Sequence, residues 1–265
     1  MQPQPSAVPP PTASLAGKKG LIVGLANSHS IAYGCARALH AQGAALAVTY
    51  LNEQSLPFVK PLADELQAEI FMPLDVEQDG QLQAVFHEMA RRWGTLDFVI
   101  HAIAFAPADD LHGRVVDSSA AGFARAMDIS CHSFIRMARL AEPLMQEGGT
   151  LVTMSYYGAQ KVIANYGLMG PVKAALEATV RYLAAELGPV GIRVHAVSAG
   201  PIKTRAASGI GHFEQLLDDA ARRAPEHQLV SIDDVGAVTA LLCSDAAHAL
   251  TGNVIFVDAG YHVMG

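Results

Sequence analysis

Seven short apolar runs, alternating with longer amphipathic stretches, constrain the fold of this chain more than any other feature. Continuous apolar residues suit strands buried on both faces of a sheet, and the runs predict strands at residues 21–23, 45–50, 70–72, 98–101, 151–154, 194–197 and 254–257. The stretches between them carry the helical period and predict helices at about residues 30–42, 58–66, 81–93, 123–146, 168–187 and 231–243. Parallel strands need such crossover connections. The sequence therefore predicts an α/β fold with a doubly wound, seven-stranded parallel sheet of the Rossmann type.

Length and composition indicate one domain. A chain of 265 residues suits a single large α/β domain, and no repeat or linker interrupts residues 15–265. Residues 1–14 are rich in Pro, Ala, Ser and Gln, and they lack the basic and apolar regions of a signal peptide. They are expected to form a disordered extension ahead of the domain.

Charge and composition exclude several classes of function. The net charge is −7 without a long basic run, which argues against binding to nucleic acid or to an anionic membrane. No apolar run approaches the length of a membrane span. The three cysteines lie far apart, and the eleven histidines form no H-E-x-x-H motif or Cys/His cluster. Reduced thiols, a cytoplasmic location and no metal are therefore expected.

The first strand-to-helix turn predicts a phosphate site. Gly24 ends the first strand, and Ser30 and Ile31 stand at the start of the following helix. Small residues there let the backbone approach a pyrophosphate, which the helix dipole favours. The spacing is longer than G-x-G-x-x-G, with Ser30 and Ala32 in glycine-like roles, so an ordinary glycine-rich turn is the alternative.

If the pyrophosphate belongs to a dinucleotide, its adenosine should lie at the ends of the second and third strands. Leu51 follows the second strand, and no Lys or Arg occurs before Lys60. A 2′-phosphate would need a cationic partner, so NADH is favoured over NADPH. Asp75 and Val76 end the third strand, where Asp75 would accept from the adenine and Val76 would cover it. The alternative is that Asp75 caps a helix.

Two Tyr–Lys pairs compete for a catalytic role. Tyr157 and Lys161 are four apart but follow a strand directly, and this spacing aligns side chains only on a helix. Tyr166 and Lys173 are seven apart, which at ~100° per residue places them within about 20° of one helix face. Pro171 must lie in the first helical turn, so Tyr166 stands at the helix entrance. This second pair falls where a nicotinamide would lie; the alternative is a packed tyrosine and a solvated lysine.

Motifs along the whole domain add a family resemblance. They are Gly24 with Ser30-Ile31-Ala32-Tyr33-Gly34, the run from His101 to Pro107, Ser155-Tyr156-Tyr157-Gly158, Asn165-Tyr166 with Lys173-Ala174-x-Leu176-Glu177-Ala178, Ser198 to Thr204, and Leu242-Cys243-Ser244-Asp245. With these motifs, residues 15–261 resemble the enoyl-[acyl-carrier-protein] reductases of bacterial type II fatty-acid synthesis, a divergent branch of the short-chain dehydrogenase/reductase superfamily. The wide Tyr-to-Lys gap, with a second tyrosine ten residues upstream, is specific to this branch.

The resemblance implies a reaction and a set of contacts. NADH would reduce the trans-2 double bond of an enoyl thioester carried by acyl carrier protein or coenzyme A. Tyr166 would stabilise the enolate, Lys173 would hold the nicotinamide ribose, and Tyr156 would join them as a catalytic residue lining the acyl pocket. Further implied cofactor contacts are Ala102, Ile103, Ile202 and Thr204. Implied substrate contacts are Ala104, Phe105, Ala106, Tyr156, Tyr166, Met169, Ala206 and Ala207, and residues of about 200–230 resemble a substrate lid.

The chain departs from the family pattern in two places. Ala104 stands where the family usually has glycine, which narrows the pocket by one methyl group and suggests reduced sensitivity to triclosan. Residues 225–229 replace a family stretch that carries two arginines. A basic surface for the acidic carrier protein would then depend on Lys203, Arg205, Arg222 and Arg223, which could equally be solvated surface residues.

The sequence leaves two alternative functions open and predicts one state of assembly. A carbonyl-reducing dehydrogenase would use Tyr157 and Lys161, but the serine expected about a dozen residues earlier is absent. A nucleotide-sensing regulator would bind NAD(H) without turnover. Residues 123–146 and the helix after Lys173 carry more Ala, Leu and Met than one helix face needs, and these helices pair subunits in the superfamily. A homotetramer is therefore predicted.

Overall fold

All seven strands lie in one parallel sheet. The computed structural model describes residues 12–204 and 213–264. The strands are β1 Lys19–Val23, β2 Ala45–Tyr50, β3 Ile70–Pro73, β4 Phe98–His101, β5 Gly149–Ser155, β6 Ile192–Ala199 and β7 Val254–Val257. Their order is β3-β2-β1-β4-β5-β6-β7, and every neighbouring pair is parallel. This confirms the predicted sheet.

Helices cover both faces of the sheet. In the described parts of the chain they are α1 Ile31–Ala41, α2 Leu56–Glu65, α3 Gln81–Trp93, α4 Ala108–Leu111, α5 Ala120–Met127, α6 Ser133–Ala141, α7 Met169–Leu187, α8 Phe213–Arg223 and α9 Ile232–Cys243. Apolar residues of α3, α6 and α7 form one core layer, and those of α1, α2 and α9 form the other. Successive strand residues supply opposite layers, as Leu21 and Ile22 do in β1.

The helix expected at 123–146 is interrupted. It starts earlier, at Ala120, because the Ser119 hydroxyl accepts a hydrogen bond from the Gly122 amide at 2.9 Å and caps α5. A π-helical segment, Asp128–His132, separates α5 from α6, and a 3₁₀ turn, Glu142–Leu144, follows α6. Pro143 lies in that turn, which agrees with the end of α6 at Ala141. The short helix α4 lies after β4, where no helix was predicted, and α8 lies within the predicted lid.

Two glycines bring α1 and α9 into backbone contact. A Cβ atom at Gly34 would lie 2.1 Å from the Ile232 carbonyl oxygen, and one at Gly236 would lie 2.3 Å from the Gly34 carbonyl oxygen. The start of α9 is fixed by Ser231 and Asp234, whose side chains cap each other's backbone amides. The contact therefore fixes the position of α1, whose N-terminus faces the predicted nucleotide site.

The C-terminal end of α9 is held from the sheet. The Arg193 guanidinium of β6 donates to the carbonyl oxygens of Leu242 at 2.7 Å, Ser244 at 3.1 Å and Ala247 at 3.0 Å. The Ser244 and Ala247 carbonyls also accept the amides of Ala247 and Leu250, whereas the Leu242 carbonyl, at the end of α9, depends on Arg193. Arg193 thus joins α9 to the sheet.

The described residues contain no membrane-spanning helix and no metal cluster. No helix in those ranges combines the length and apolar character needed to cross a bilayer. No three His, Cys, Asp or Glu side chains in the same ranges meet to hold a metal. Cys35, Cys131 and Cys243 are buried and form no disulfide.

Candidate active site

A cavity of about 350 Å³ opens where β1, β4, β5 and β6 end. Such crevices are where ligands bind in parallel α/β sheets. Most of the residues predicted for the site line it: Gly24, Ser30, Ile31, Ala102, Ile103, Ala104, Phe105, Ala106, Tyr156, Tyr166, Met169, Lys173, Ile202 and Thr204. Ala206 and Ala207, predicted to contact the acyl chain, lie outside the described residues. Phe213 and Leu216 of α8 also line the cavity.

The β1–α1 turn has the shape of a phosphate cradle. Gly24 has φ +103°, and a Cβ atom there would lie 2.1 Å from the Ala102 carbonyl oxygen, so only glycine fits. The Ser30 hydroxyl accepts the backbone amides of Ala26 and Asn27, both at 3.0 Å, and so holds the loop. The first turn of α1 contains no acidic residue, and its leading amides have no acceptor within the helix. The cradle therefore fits an anionic pyrophosphate.

Three predicted cofactor residues lie outside this cavity. Leu51, after β2, is 54% exposed. The Asp75 carboxylate accepts the Glu77 amide at 3.0 Å in a turn, whereas α3 begins only at Gln81, so the alternative that Asp75 caps the helix is wrong. Val76 is buried, and its carbonyl accepts from Arg136 at 3.1 Å. Their contacts with an adenosine stay predictions.

Tyr166 and Lys173 are both buried in the cavity wall. Asn165 and Gly167 adopt positive φ angles of 62° and 51° and turn the chain sharply on either side of Tyr166. The helix α7 begins at Met169 with Pro171 in its first turn, close to the predicted start. The Lys173 ammonium donates to the Met154 carbonyl oxygen at 2.6 Å. An ammonium has three hydrogens to donate, so Lys173 can still bind a ligand.

Burial moves the pKa values of Lys173 and Tyr166 in opposite directions, and in each case it favours the neutral form. Desolvation lowers the pKa of Lys173 to about 8, an effect that Cys131 and Glu177 partly offset. Desolvation also raises the pKa of Tyr166 well above its usual value, and Tyr156 and Glu177 raise it further. At neutral pH the tyrosine is therefore a hydrogen-bond donor and the lysine remains cationic.

Tyr156 places a second phenol beside the first. The two rings meet edge to face with centroids 4.8 Å apart. The Tyr156 hydroxyl is buried without a hydrogen-bond partner among the described residues, and burial raises the pKa of Tyr156. An unsatisfied buried hydroxyl is costly, so this group fits the carbonyl oxygen of a bound substrate.

Gly158 was missed as a site residue in the sequence. A Cβ atom at Gly158 would lie 2.3 Å from Cδ1 of Tyr166 and 2.6 Å from Cε1. The absence of a side chain there lets the tyrosine ring pack against the backbone. The Tyr156-Tyr157-Gly158 motif carried the signal, but the sequence does not tell which ring approaches the glycine.

The competing Tyr–Lys pair lies elsewhere. Tyr157 belongs to the 3₁₀ turn Tyr157–Ala159, and its ring packs edge to face against Phe256 and Tyr261. Tyr157 and Lys161 line a separate cavity of about 630 Å³. As expected, the two residues do not lie on an α-helix. Neither of them lines the cavity that holds Tyr166.

A buried histidine network, which was not predicted from the sequence, lies behind the site. His101, at the end of β4, is fully buried, with Nε2 2.8 Å from the Ser133 hydroxyl and Nδ1 2.8 Å from the Thr153 hydroxyl. Ser133 donates to the Ile129 carbonyl oxygen at 2.6 Å, so Nε2 must carry the proton and Nδ1 must accept. Burial and the nearby Lys173 lower the pKa of His101 to about 3. His101 is therefore a neutral support rather than an acid or base.

The π-helical segment positions the substrate loop. The Ser130 hydroxyl accepts the Phe105 amide at 2.9 Å and donates to the Phe105 carbonyl oxygen at 3.0 Å. Both backbone groups of one loop residue are thus tied to a single side chain. This fixes the wall formed by residues 104–106, which contain the unusual Ala104.

The fold and site together define a Rossmann-type α/β domain with a buried Tyr–Lys pair beside a phosphate cradle. Residues 24–262 match the family model described as "Enoyl-(Acyl carrier protein) reductase". The chain is 48% identical to enoyl-[acyl-carrier-protein] reductase [NADH] 2 of Rhizobium meliloti (strain 1021), in a match that covers 93% of this chain and 92% of that protein. The chain belongs to the enoyl-[acyl-carrier-protein] reductase family, which confirms the resemblance seen in its motifs.

Two solved structures are similar over nearly the whole chain. One is the enoyl-acyl-carrier-protein reductase of Anaplasma phagocytophilum in complex with NAD, with a TM-score of 0.91 and 47% identity over 97% of this chain and 98% of that one. The other is the Bacillus cereus enoyl-acyl carrier protein reductase with NADP+ and indole naphthyridinone. Its TM-score is 0.92, with 45% identity over 95% of this chain and 98% of that one.

Proposed function

We propose that this chain reduces the trans-2 double bond of an enoyl thioester in fatty-acid synthesis, with NADH as the reductant. The observation that carries the proposal is the convergence of Tyr166, Tyr156 and Lys173 in one cavity beside the Gly24 cradle. NADH, when bound, would supply a hydride to the β-carbon, and a proton that reaches the α-carbon from water completes the reduction. The residues of the chain then have to hold the thioester and stabilise the negative charge that develops on its oxygen.

The tyrosines act as hydrogen-bond donors. Because burial raises the pKa of both phenols, each keeps its proton at neutral pH. Tyr166 donates to the thioester carbonyl and stabilises the enolate oxygen. The hydroxyl of Tyr156, which has no partner in the described chain, lies at the same wall and borders the acyl chain.

Lys173 holds the nicotinamide ribose. One ammonium hydrogen is used by the Met154 carbonyl, which orients the side chain and leaves two for the ribose hydroxyls. Its positive charge also favours the developing enolate, and in a site of low polarity this effect is larger than in water. Gly24, Ser30, Ile31, Ala102, Ile103, Ile202 and Thr204 would contact the rest of the dinucleotide.

Cofactor selection depends on the end of β2. Leu51 is followed by Asn52 and Glu53, and the first basic residue, Lys60, is paired with Asp64 at 2.6 Å. This arrangement favours a free 2′-hydroxyl over a 2′-phosphate. Since the Bacillus cereus relative was solved with NADP+, the ratio of kcat/KM for NADH and NADPH is the measurement that tests this preference.

The thioester carrier and the assembly are finer parts of the proposal. Lys203 is paired with Glu214 at 2.9 Å, and Arg222 and Arg223 are paired with Asp219 at 2.6 and 3.3 Å, while Arg205 lies outside the described residues. These pairs weaken a basic surface for an acidic carrier protein, so kcat/KM with an enoyl group on carrier protein and on coenzyme A decides the carrier.

A cytoplasmic homotetramer remains the proposed form. Phe123, Ile135 and Tyr182 are exposed on α5, α6 and α7, which fits subunit contacts through these helices. The three unpaired buried thiols fit a reducing compartment. Light scattering of the purified protein tests the tetramer, and a monomer would contradict it.

Turnover of purified protein tests the central proposal. NADH absorbance should fall when crotonyl-CoA or a longer enoyl thioester is added. Tyr166→Phe should lose this activity, whereas the matched variant Tyr157→Phe, outside the cavity, should retain it. Binding of NADH without turnover of any enoyl thioester would instead favour a nucleotide sensor.

A further inference from the structure

A buried carboxylate lies directly behind the catalytic residues. Glu177 is one helical turn after Lys173 on α7 and is 4% exposed. Its Oε1 accepts the Ser155 hydroxyl at 2.7 Å, and its Oε2 accepts the Gln160 amide group at 3.0 Å. No ion pair within 4.0 Å joins Glu177 to a cationic side chain of the described residues.

Fold stability gives no simple reason for a carboxylate at this position. Neighbouring inward positions of α7, Leu176 and Val180, are apolar and fully buried. A carboxylate removed from water loses much hydration energy, and two neutral hydrogen bonds recover only part of it. The buried charge of Glu177 is therefore better explained by a role in the site than by the stability of the fold.

The residues that Glu177 contacts lie on both sides of Tyr156 along the chain. Lys173 binds the Met154 carbonyl, and one turn later Glu177 binds Ser155. Two consecutive residues of β5 are thus tied to α7 immediately before Tyr156. Gln160, just beyond the 3₁₀ turn Tyr157–Ala159, is the third anchor. The backbone that carries Tyr156 is therefore held on both sides.

The same carboxylate lies one helical turn from Lys173, beyond ion-pair distance, and its charge raises the pKa of the Lys173 ammonium. The other ionisable groups that act on this ammonium are the Cys131 thiol from the π-helical segment and the His101 ring from β4. His101 is neutral, and both Cys131 and Glu177 favour the charged lysine. Tyr156 and Tyr166 complete the polar groups of this wall.

We propose that Glu177 is a positioning residue of the enoyl reductase site, which holds Tyr156 through Ser155 and Gln160 and places a negative charge one helical turn from Lys173. This role rests on the proposed function for its effect on catalysis. The electrostatic part does not, because it concerns the charge on Lys173 whether or not a substrate is present.

Separate variants distinguish the two parts of the role. Glu177→Gln removes the charge and replaces one acceptor oxygen by an NH₂ group. Ser155→Ala removes one anchor and keeps the charge. Glu186→Gln, on the exposed face of the same helix, removes an equivalent charge away from the site and serves as the matched control.

The first measurement needs neither NADH nor substrate. Protein labelled with ¹³C at the lysine ε-carbons is titrated by NMR, with Lys173 assigned by its absence in Lys173→Arg. The midpoint for Lys173 starts from a pKa of about 8. Glu177→Gln should lower it, because the negative charge that favours the ammonium is removed, whereas Ser155→Ala and Glu186→Gln should leave it in place. An unchanged midpoint in folded Glu177→Gln would overturn the electrostatic part.

The second measurement is the pH profile of turnover. Lys173 is charged below its pKa, so the alkaline limb of kcat should move to lower pH in Glu177→Gln. Ser155→Ala should lower kcat on the order of ten-fold without moving that limb, and Glu177→Asp should restore its position. A wild-type kcat in both Glu177→Gln and Ser155→Ala would refute the positioning role. If the wild-type protein reduces no enoyl thioester, the proposed function fails while the NMR result still stands.

Discussion

Replacement of Gly158 by alanine gives a direct test of how the catalytic tyrosine is placed. The added Cβ atom would lie 2.3 Å from Cδ1 of Tyr166, whereas ordinary contacts begin at 3.4 Å. The ring must therefore retreat by about 1 Å or the turn must open by that amount. Gly158 is not among the glycines with positive φ, so the variant tests steric contact and not backbone strain.

The ring of Tyr166 has little room to retreat. It contacts Tyr156 at a centroid distance of 4.8 Å and packs in a cluster with Leu168, Met169 and Val172. Overpacking at such a place costs about 1–3 kcal/mol of stability. A shift of about 1 Å in a catalytic group lowers the rate by about a hundred-fold, so kcat should fall far more than stability.

The assay compares Gly158→Ala with Gly188→Ala. Gly188 lies at the end of α7, where an added Cβ atom meets nothing within 4 Å. Turnover of an enoyl thioester, the NADH dissociation constant and the midpoint of urea unfolding are measured for both variants. Gly188→Ala should match the wild type. If Gly158→Ala keeps wild-type kcat, the close contact does not set the position of the Tyr166 hydroxyl.

Other changes test the fold and the protonation of the site. Gly236→Ala should destabilise the protein by about 1–3 kcal/mol in urea unfolding because its Cβ atom would meet the α1 backbone; a wild-type midpoint would show that the helices separate freely. Arg193→Met should lower the Tm and cost about 2 kcal/mol, since the Leu242 carbonyl loses its donor and the Ser244 and Ala247 carbonyls lose their second one; an unchanged Tm would mean that other donors replace it. Because its pH dependence reports the ionisations of the free enzyme, kcat/KM should fall as pH rises through about 8, where Lys173 loses its charge; a flat profile to pH 10 would contradict this. Ala104→Gly should bind triclosan more tightly than the wild type, and equal affinity would show that the methyl group does not narrow the pocket.

The sequence predicted the sheet well because its strands are short, apolar and regularly separated. All seven strands were found, and the order of elements fixed a parallel sheet through its crossover connections. Less was predicted where structure depends on contacts with distant residues. The helix α4 has only four residues, and α8 is highly charged and lies within the segment predicted to form a substrate lid.

The site could be predicted only as far as its motifs reached. Tyr166 and Lys173 were distinguished from Tyr157 and Lys161 because Pro171 fixes where α7 begins. The supports behind them were not predictable, since their roles depend on partners from other elements. His101 looks like one more residue of a strand until Ser133 and Thr153 meet its ring.

The roles of Lys173 and Glu177 explain why the inward face of α7 is not entirely apolar. Lys173 and Glu177 stand one turn apart and bind consecutive residues at the end of β5. A helix that only packed against the sheet would place two apolar side chains there and avoid the cost of burying charge. Because the negative charge of Glu177 lies one turn from the ammonium, it helps Lys173 to stay cationic inside the cavity wall. Both side chains also fix the end of β5, which directly precedes Tyr156. If Glu177 and Lys173 were both replaced by apolar residues, the fold should gain or keep stability while turnover is lost, and a loss of folding instead would show that the pair serves the structure first.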